Sequence, residues 1–110
     1  MDFLVIMRMR DPTNPETQRR RDDARPHHLA HAAKLQEQGH LLIGGAIFTD
    51  DGKSPAGSAG VARFDTREQL EDWLRNDPYT LAGVWQEFEI IPYRVAPHYT
   101  HLLEKSAANE

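Results

Sequence analysis

Apolar positions along this chain alternate between two periods, and the changes of period mark out its elements. Phe3-Leu4-Val5-Ile6-Met7, continued to Arg10, is apolar on consecutive positions, the pattern of a strand covered on both faces. Asp11-Pro12-Thr13-Asn14-Pro15 breaks it. Residues 16–23 are polar without a period and read either as a loop or as an early helical turn. A helix is predicted from Pro26 to Gln38, with Pro26 at its first position and Gly39 as its stop. On a 3.6-residue period Leu29, Ala32, Ala33 and Leu35 share one face, His28 lies within that stripe, and His31 sits at its edge.

Beyond Gly39 the period returns to that of strands. Leu41 to Phe48 reads as a second strand, Asp50-Asp51-Gly52-Lys53 as a turn, and Ala59 to Phe64 as a third strand. Thr66 opens a second helix, and Gln69 three residues later completes a capping box. Leu70, Trp73 and Leu74 form its apolar stripe. This helix should end near Asn76, because the residue before Pro78 disfavours helical geometry. A short turn carries Tyr79, Leu81 and Val84, and a last strand runs from Trp85 to Tyr93. The order βαββαβ predicts an α+β, ferredoxin-like fold: one antiparallel four-stranded sheet with two helices on one face. The domain spans 2–96, and 97–110 reads as a polar, mobile tail. The uncovered sheet face would carry Phe3, Val5, Phe88 and Ile90, or the residues alternating with them. An apolar face of that size predicts a homodimer packed sheet to sheet.

Composition narrows the function. The 110 residues fit one domain. The net charge of -4 argues against general nucleic-acid binding. The one basic run, Arg19-Arg20-Arg21, is followed at once by Asp22 and Asp23 and reads as a solvated segment. No cysteine is present, which excludes disulfides, thiol catalysis and thiolate metal sites. The apolar start is too short to span a membrane, so a cytoplasmic protein with no membrane or nucleic-acid partner is expected. His98 and His101 have a metal-compatible spacing but no evident third ligand, so no metal is expected. No phosphate-loop or dinucleotide glycine pattern occurs, and no cofactor is expected.

Two proline-anchored motifs carry the candidate chemistry. One is Arg25-Pro26-His27-His28-Leu29; the other is Asp77-Pro78-Tyr79 with Ala82-Gly83-Val84. A histidine and an aspartate at helix ends can form a proton-transfer dyad if the fold brings them together. The structural alternatives are a satisfied helix-face histidine and a turn aspartate bonding its own backbone. Arg25 can clamp an anion or pair with Asp22 or Asp23. Gly57-Ser58 offers a hydroxyl to a pocket or is a plain strand entry, and Tyr79 lines a pocket or belongs to the core.

These motifs, with Gly39-His40-Leu41-Leu42, Gly44-Gly45 and Gly57-Ser58 between them, resemble the YciI-like (YCII-related) family across residues 2–96. The resemblance implies a dimeric ferredoxin-like fold related to muconolactone isomerase and an active site built on His28 and Asp77. One member of that family removes chloride from a chlorinated hydroxyhydroquinone. The segment 12–23 looks longer here than is usual, and Ala46 stands where proline is common, which leaves the substrate open.

The resulting expectation is a small enzyme, His28 acting as acid or base, Asp77 orienting it, and Arg25, Gly45, Ser58 and Tyr79 at the substrate. Isomerisation or elimination, dehalogenation included, suits such a site better than hydrolysis. The alternatives are a non-catalytic ligand-binding or assembly module and a cofactor-free monooxygenase of the same architecture.

Overall fold

A computed structural model describes the backbone of residues 1–108 and the side chains through Leu103; positions 109–110 of the expected tail lie outside the described residues. The elements are β1 (Asp2–Arg8), α1 (Pro15–Glu37), β2 (Leu41–Phe48), β3 (Pro55–Arg63), α2 (Arg67–Asn76), α3 (Pro78–Leu81), β4 (Glu87–Tyr93) and α4 (Pro97–Ala108). The strands form one sheet in the order β2-β3-β1-β4, with every pairing antiparallel. This is the ferredoxin-like α+β arrangement that the element order predicts. No helix among the described residues is long and apolar enough to cross a membrane.

Side chains of β1 alternate strictly between the two faces. Phe3, Val5 and Met7 are buried under the helices, whereas Leu4 and Ile6 are half-buried on the opposite side. Phe3, Val5 and Met7 join Ala62, Phe64, Leu35, Leu70, Leu74, Tyr79, Val84 and Trp85 in the core. The register puts Leu4 opposite Val61 and Ile91, and Val61 opposite Ile43, so these four share the face that no helix covers. Phe3 and Val5 thus belong to the helix side, with Ile90 opposite Val5 and Phe88 opposite Met7; the alternating set forms the open face.

Close packing between strands depends on glycine at two points: Gly57, where a Cβ would run into the Met7 carbonyl oxygen, and Gly60. A Cβ on Gly60 would lie 2.7 Å from the Ile43 carbonyl oxygen and 3.3 Å from Gly44 Cα, so β2 and β3 approach more tightly there than a side chain permits.

Several boundaries differ from those predicted. Helix α1 begins at Pro15, so Pro26 is an interior residue and not the first. Asn14 caps this earlier start, its side chain accepting the Glu16 N–H at 2.9 Å. Ion pairs from Glu16 to Arg19 (2.6 Å) and Arg20 (3.5 Å), and from Arg19 to Asp23 (3.8 Å), line the polar first half. Such a solvated segment has no apolar period to announce it.

At the other end the His40 N–H reaches the Leu35 carbonyl (2.9 Å) and the Gly39 N–H reaches Gln36 (3.0 Å), closing the helix where the glycine predicts. Within the expected apolar stripe Leu35 is buried, but Leu29 is 47% exposed, because that stretch overlooks a cavity and not the sheet. Strand β3 starts at Pro55, ahead of the predicted Ala59, and β4 starts at Glu87, two residues after the predicted Trp85. The capping box of Thr66 and Gln69 on α2 is formed in both directions. The expected mobile tail folds as α4 through Ala108. Pro97 suits a first helical turn, and Leu102 and Leu103 turn toward the cavity.

Candidate functional site

Between α1 and the β2–β3 half of the sheet lies an open cavity of about 680 Å³. Its helical wall carries Arg21, Arg25, His28, Leu29, Ala32 and Gln36. Its floor carries Gly44, Ala46, Ser58 and Gly60, all on the side of the sheet that faces the helices. Leu102 and Leu103 of α4 close part of the rim.

His28 and Asp77, far apart in sequence, meet behind the helical wall. His28 Nδ1 lies 2.9 Å from Oδ1 and 3.2 Å from Oδ2 of Asp77. Asp77 is fully buried, and its position follows from local chain geometry. It closes α2 as C-cap and opens α3 as N-cap, its extended backbone (φ -65°, ψ 136°) being the conformation that a residue before proline prefers. The Tyr79 N–H donates to Oδ1 at 2.9 Å. The turn-aspartate role and the histidine contact therefore coexist on one carboxylate. With the carboxylate ionised and the ring neutral, Nδ1–H of His28 is the donor and Nε2 carries the lone pair. Nε2 makes no hydrogen bond among the described residues.

The imidazole is held on its other sides by aromatic rings. It stacks on Tyr79 with centroids 3.9 Å apart and planes 14° from parallel, and it meets Trp85 edge-on at 5.2 Å. Tyr79 and Trp85 contact each other at 5.4 Å. Gly83, with φ +73°, lets the chain reverse after α3 in a conformation that a side chain would strain, returning Trp85 to His28. The Val84 N–H then bonds the Tyr79 carbonyl at 2.8 Å and fixes that return. Burial pushes the Tyr79 phenol above its ordinary range, while the positive charges of Arg21 and Arg25 pull it partway back.

The remaining predicted site residues distribute as follows. Tyr79 lines the cavity and is also core, at 2% exposure. Arg25 stands exposed at the mouth and forms no ion pair with Asp22 or Asp23. Ser58 is on the floor. Gly45 lines the cavity with backbone alone, since its register partner Ala59 belongs with Ile6 on the open face.

Four neighbours were not singled out from the sequence. Arg21 lay in the run read as solvated, yet its guanidinium sits 5.7 Å from the Tyr79 ring centroid. Trp85, at the predicted start of the last strand, precedes β4 and packs on His28. Trp73 lines the cavity beside His31. His31, one helical turn past His28, has Nε2 buried without a hydrogen bond, 4.0 Å from Asp77 Oδ2, and its ring lies parallel to Trp73. The (i, i+3) spacing of His28 and His31 is the signal that both reach one partner. Among the described residues no three His, Asp or Glu side chains converge as metal ligands.

Fold and site together describe a ferredoxin-like α+β protein with a histidine–carboxylate pair set behind one wall of a cavity. The chain belongs to the YCII-related domain family, whose sequence model matches residues 1–94. It is 32% identical over 80 residues to protein YciI of Escherichia coli O6:H1, an alignment covering 68% of this chain and 82% of that one. It is 33% identical over 88 residues to the derivative of benzaldehyde biosynthesis cluster protein C of Emericella nidulans, covering 74% and 86%. Its fold resembles that of 5-chloro-2-hydroxyhydroquinone dehydrochlorinase from Burkholderia phenoliruptrix, solved in complex with 2,5-dihydroxybenzoquinone. There the TM-score is 0.72 at 22% identity, covering 89% of this chain and 98% of that one.

Proposed function

We propose that this protein is a small enzyme in which His28 moves a proton on an organic substrate bound in the cavity, in an isomerisation or elimination. The observation that carries the reading is the hydrogen bond from His28 Nδ1 to the buried Asp77, which directs the ring's basic nitrogen away from the carboxylate. In this reading Nε2 takes a proton from a substrate O–H or from a C–H beside a carbonyl. In an elimination the electron pair released expels a leaving group such as chloride and the imidazolium gives its proton to water; in an isomerisation the pair shifts along the substrate and the imidazolium returns the proton at a second atom. Asp77 stabilises the imidazolium while it exists and holds the ring's orientation. Tyr79 and Trp85 keep the ring from rotating. The likeness in fold to a dehydrochlorinase is consistent with elimination.

His28→Asn tests this directly. Asparagine can keep a donor near the position of Nδ1 but has no second basic nitrogen. Turnover of a chlorinated hydroxyhydroquinone or an enolisable lactone acid should fall by about 10²–10⁴-fold, the usual contribution of a general acid–base group, while the fold is retained. Undiminished turnover in a folded His28→Asn protein would refute the assignment, and a change in ligand affinity alone would favour a binding module.

We also infer a homodimer formed through the open sheet face, where Ile43 (57% exposed) and Ile91 (39%) flank the half-buried Leu4 and Ile6. A second copy offers the same apolar strip and so is self-complementary. Light scattering of Ile91→Glu should then report a monomer; a wild-type protein that is already monomeric would remove the inference.

A further inference from the structure

The cavity has a charge opposite to that of the protein around it. The chain carries 17 acidic and 13 basic residues. Yet among the described residues the only formally charged side chains lining the cavity are the guanidinium groups of Arg21 and Arg25, with no carboxylate beside them. The nearby carboxylate, Asp77, is sealed behind the wall and already bonded by His28 and by the Tyr79 N–H. Arginines elsewhere are typically paired: Arg63 with Asp2 (2.8 Å), Arg67 with Glu71 (3.0 Å), Arg8 with Glu89 (3.7 Å), and Arg75 with Asp72. Arg21 and Arg25 form no ion pair among the described residues. They stand one helical turn apart on the face that also carries His28. Like charges at that spacing destabilise a helix. An anion placed between them would reverse the sign of that interaction.

The remaining lining fixes the shape of what fits. Beyond His28 the cavity is bounded by Leu41, Leu42, Ala32 and Trp73; the helix-facing floor residues of β2 and β3 are no larger than serine, with Val5 and Met7 of β1 beside them. This leaves a shallow apolar slot, cationic at one end and basic at His28 between the ends. A planar guanidinium matches a pair of ionised oxygens in a way that a lone ammonium does not.

We propose, resting on the reading of the preceding subsection, that the substrate is a flat organic anion whose ionised oxygen pair, a carboxylate or its vinylogous hydroxyquinone equivalent, is held by Arg21 and Arg25. Its planar body lies along the slot toward Trp73, and its reacting proton is presented to His28 Nε2. Arg21 is thereby a specificity-determining residue together with Arg25. Positive charge at that end also stabilises the enolate or phenolate that proton removal creates, so binding and reaction draw on the same two groups.

Matched pairs of acids and amides test the proposal without knowledge of the natural substrate. Benzoate with benzamide, cinnamate with cinnamamide and salicylate with salicylamide would be titrated into the full chain, with binding followed by protein NMR. Carboxylates should bind at least tenfold more tightly than their amides, shift the His28 ring and Arg21 and Arg25 Nε–H resonances, and weaken as sodium chloride rises. The Arg21→Gln/Arg25→Gln double variant should lose that preference, whereas Arg94→Gln, remote from the cavity lining, should keep it. Equal affinity for acids and amides, no binding by any pair, or a preference that survives the double variant would each overturn the proposal. His28→Asn separates the two readings. Acid preference without any His28-dependent turnover would remove the catalytic reading alone, and His28-dependent turnover without acid preference would remove this one alone.

Discussion

The two long walls of the cavity are built on opposite principles. On the helical wall each functional side chain is braced by others: His28 bonds Asp77, stacks on Tyr79 and abuts Trp85, and Asp77 is in turn fixed by the turn between α2 and α3. On the strand wall the facing residues are Gly44, Ala46, Ser58 and Gly60, which brace nothing and leave room. The first wall places chemistry, and the second sets what can lie beside it. A wall of the first kind is brittle to substitution, since removing one group strands another. A wall of the second kind tolerates substitution wherever the backbone has space.

Asp77→Ala should show the largest effect, because it removes both the cap of α3 and the buried acceptor of His28. Adding a lost cap to a lost buried hydrogen bond gives about 2–4 kcal/mol of destabilisation in urea unfolding. Asp77→Asn should recover part of this, since asparagine caps as well. An alanine variant as stable as wild type would show that the brace is dispensable. Next comes Gly60→Val, the strand-wall position where space is absent. With the Ile43 oxygen 2.7 Å from the new Cβ, the strands must part, at about 1–3 kcal/mol. An unchanged melting temperature would contradict that close approach.

Gly44→Val sharpens the comparison from the other direction. A Cβ there meets only Leu41 at 3.8 Å and the Ala59 carbonyl at 3.9 Å, so stability should stay within about 0.5 kcal/mol. The larger side chain takes up floor space, and a carboxylate probe should bind markedly less well. Retained binding would mean that the floor does not limit the ligand.

The smallest effect concerns alkaline pH. Burial raises the Tyr79 phenol in the folded protein, so the unfolded chain ionises first. Stability is complete below the ordinary tyrosine value of about 10 and is lost as pH climbs toward the raised one. Tyr79→Phe removes this component. Denaturation midpoints of the two proteins should run parallel to about pH 10 and diverge above it. Parallel behaviour throughout would show that the phenol is not desolvated.

What could be read from the sequence follows from where each signal is local. The β2 boundaries, the Thr66–Gln69 capping box and the Gly39 stop depend on residues within a few positions, and the structure reproduces them. The sheet's order follows from the element order. The start of α1 was missed although Asn14-Pro15 carries the same kind of cap signal assigned to Pro26. With two prolines available, the apolar stripe favoured the later one, and the ion-paired first half had no stripe to compete. Helix α4 is less legible because its apolar positions at helical spacing, Tyr99, Leu102 and Leu103, span barely more than one turn. Motif resemblance singled out both His28 and Asp77, but their contact is tertiary and no spacing reveals it. Arg21 was hidden by charge bookkeeping: Asp22 and Asp23 cancel the run on paper, whereas on a helix they point elsewhere.

One oxygen of Asp77 serves two partners at equal distance, the Tyr79 amide and the His28 ring. Any charge that arrives on that ring redistributes electron density on the shared oxygen, and the amide must respond. The Tyr79 amide resonance is therefore a built-in gauge of imidazole protonation, readable by nitrogen–proton spectroscopy with neither substrate nor assay.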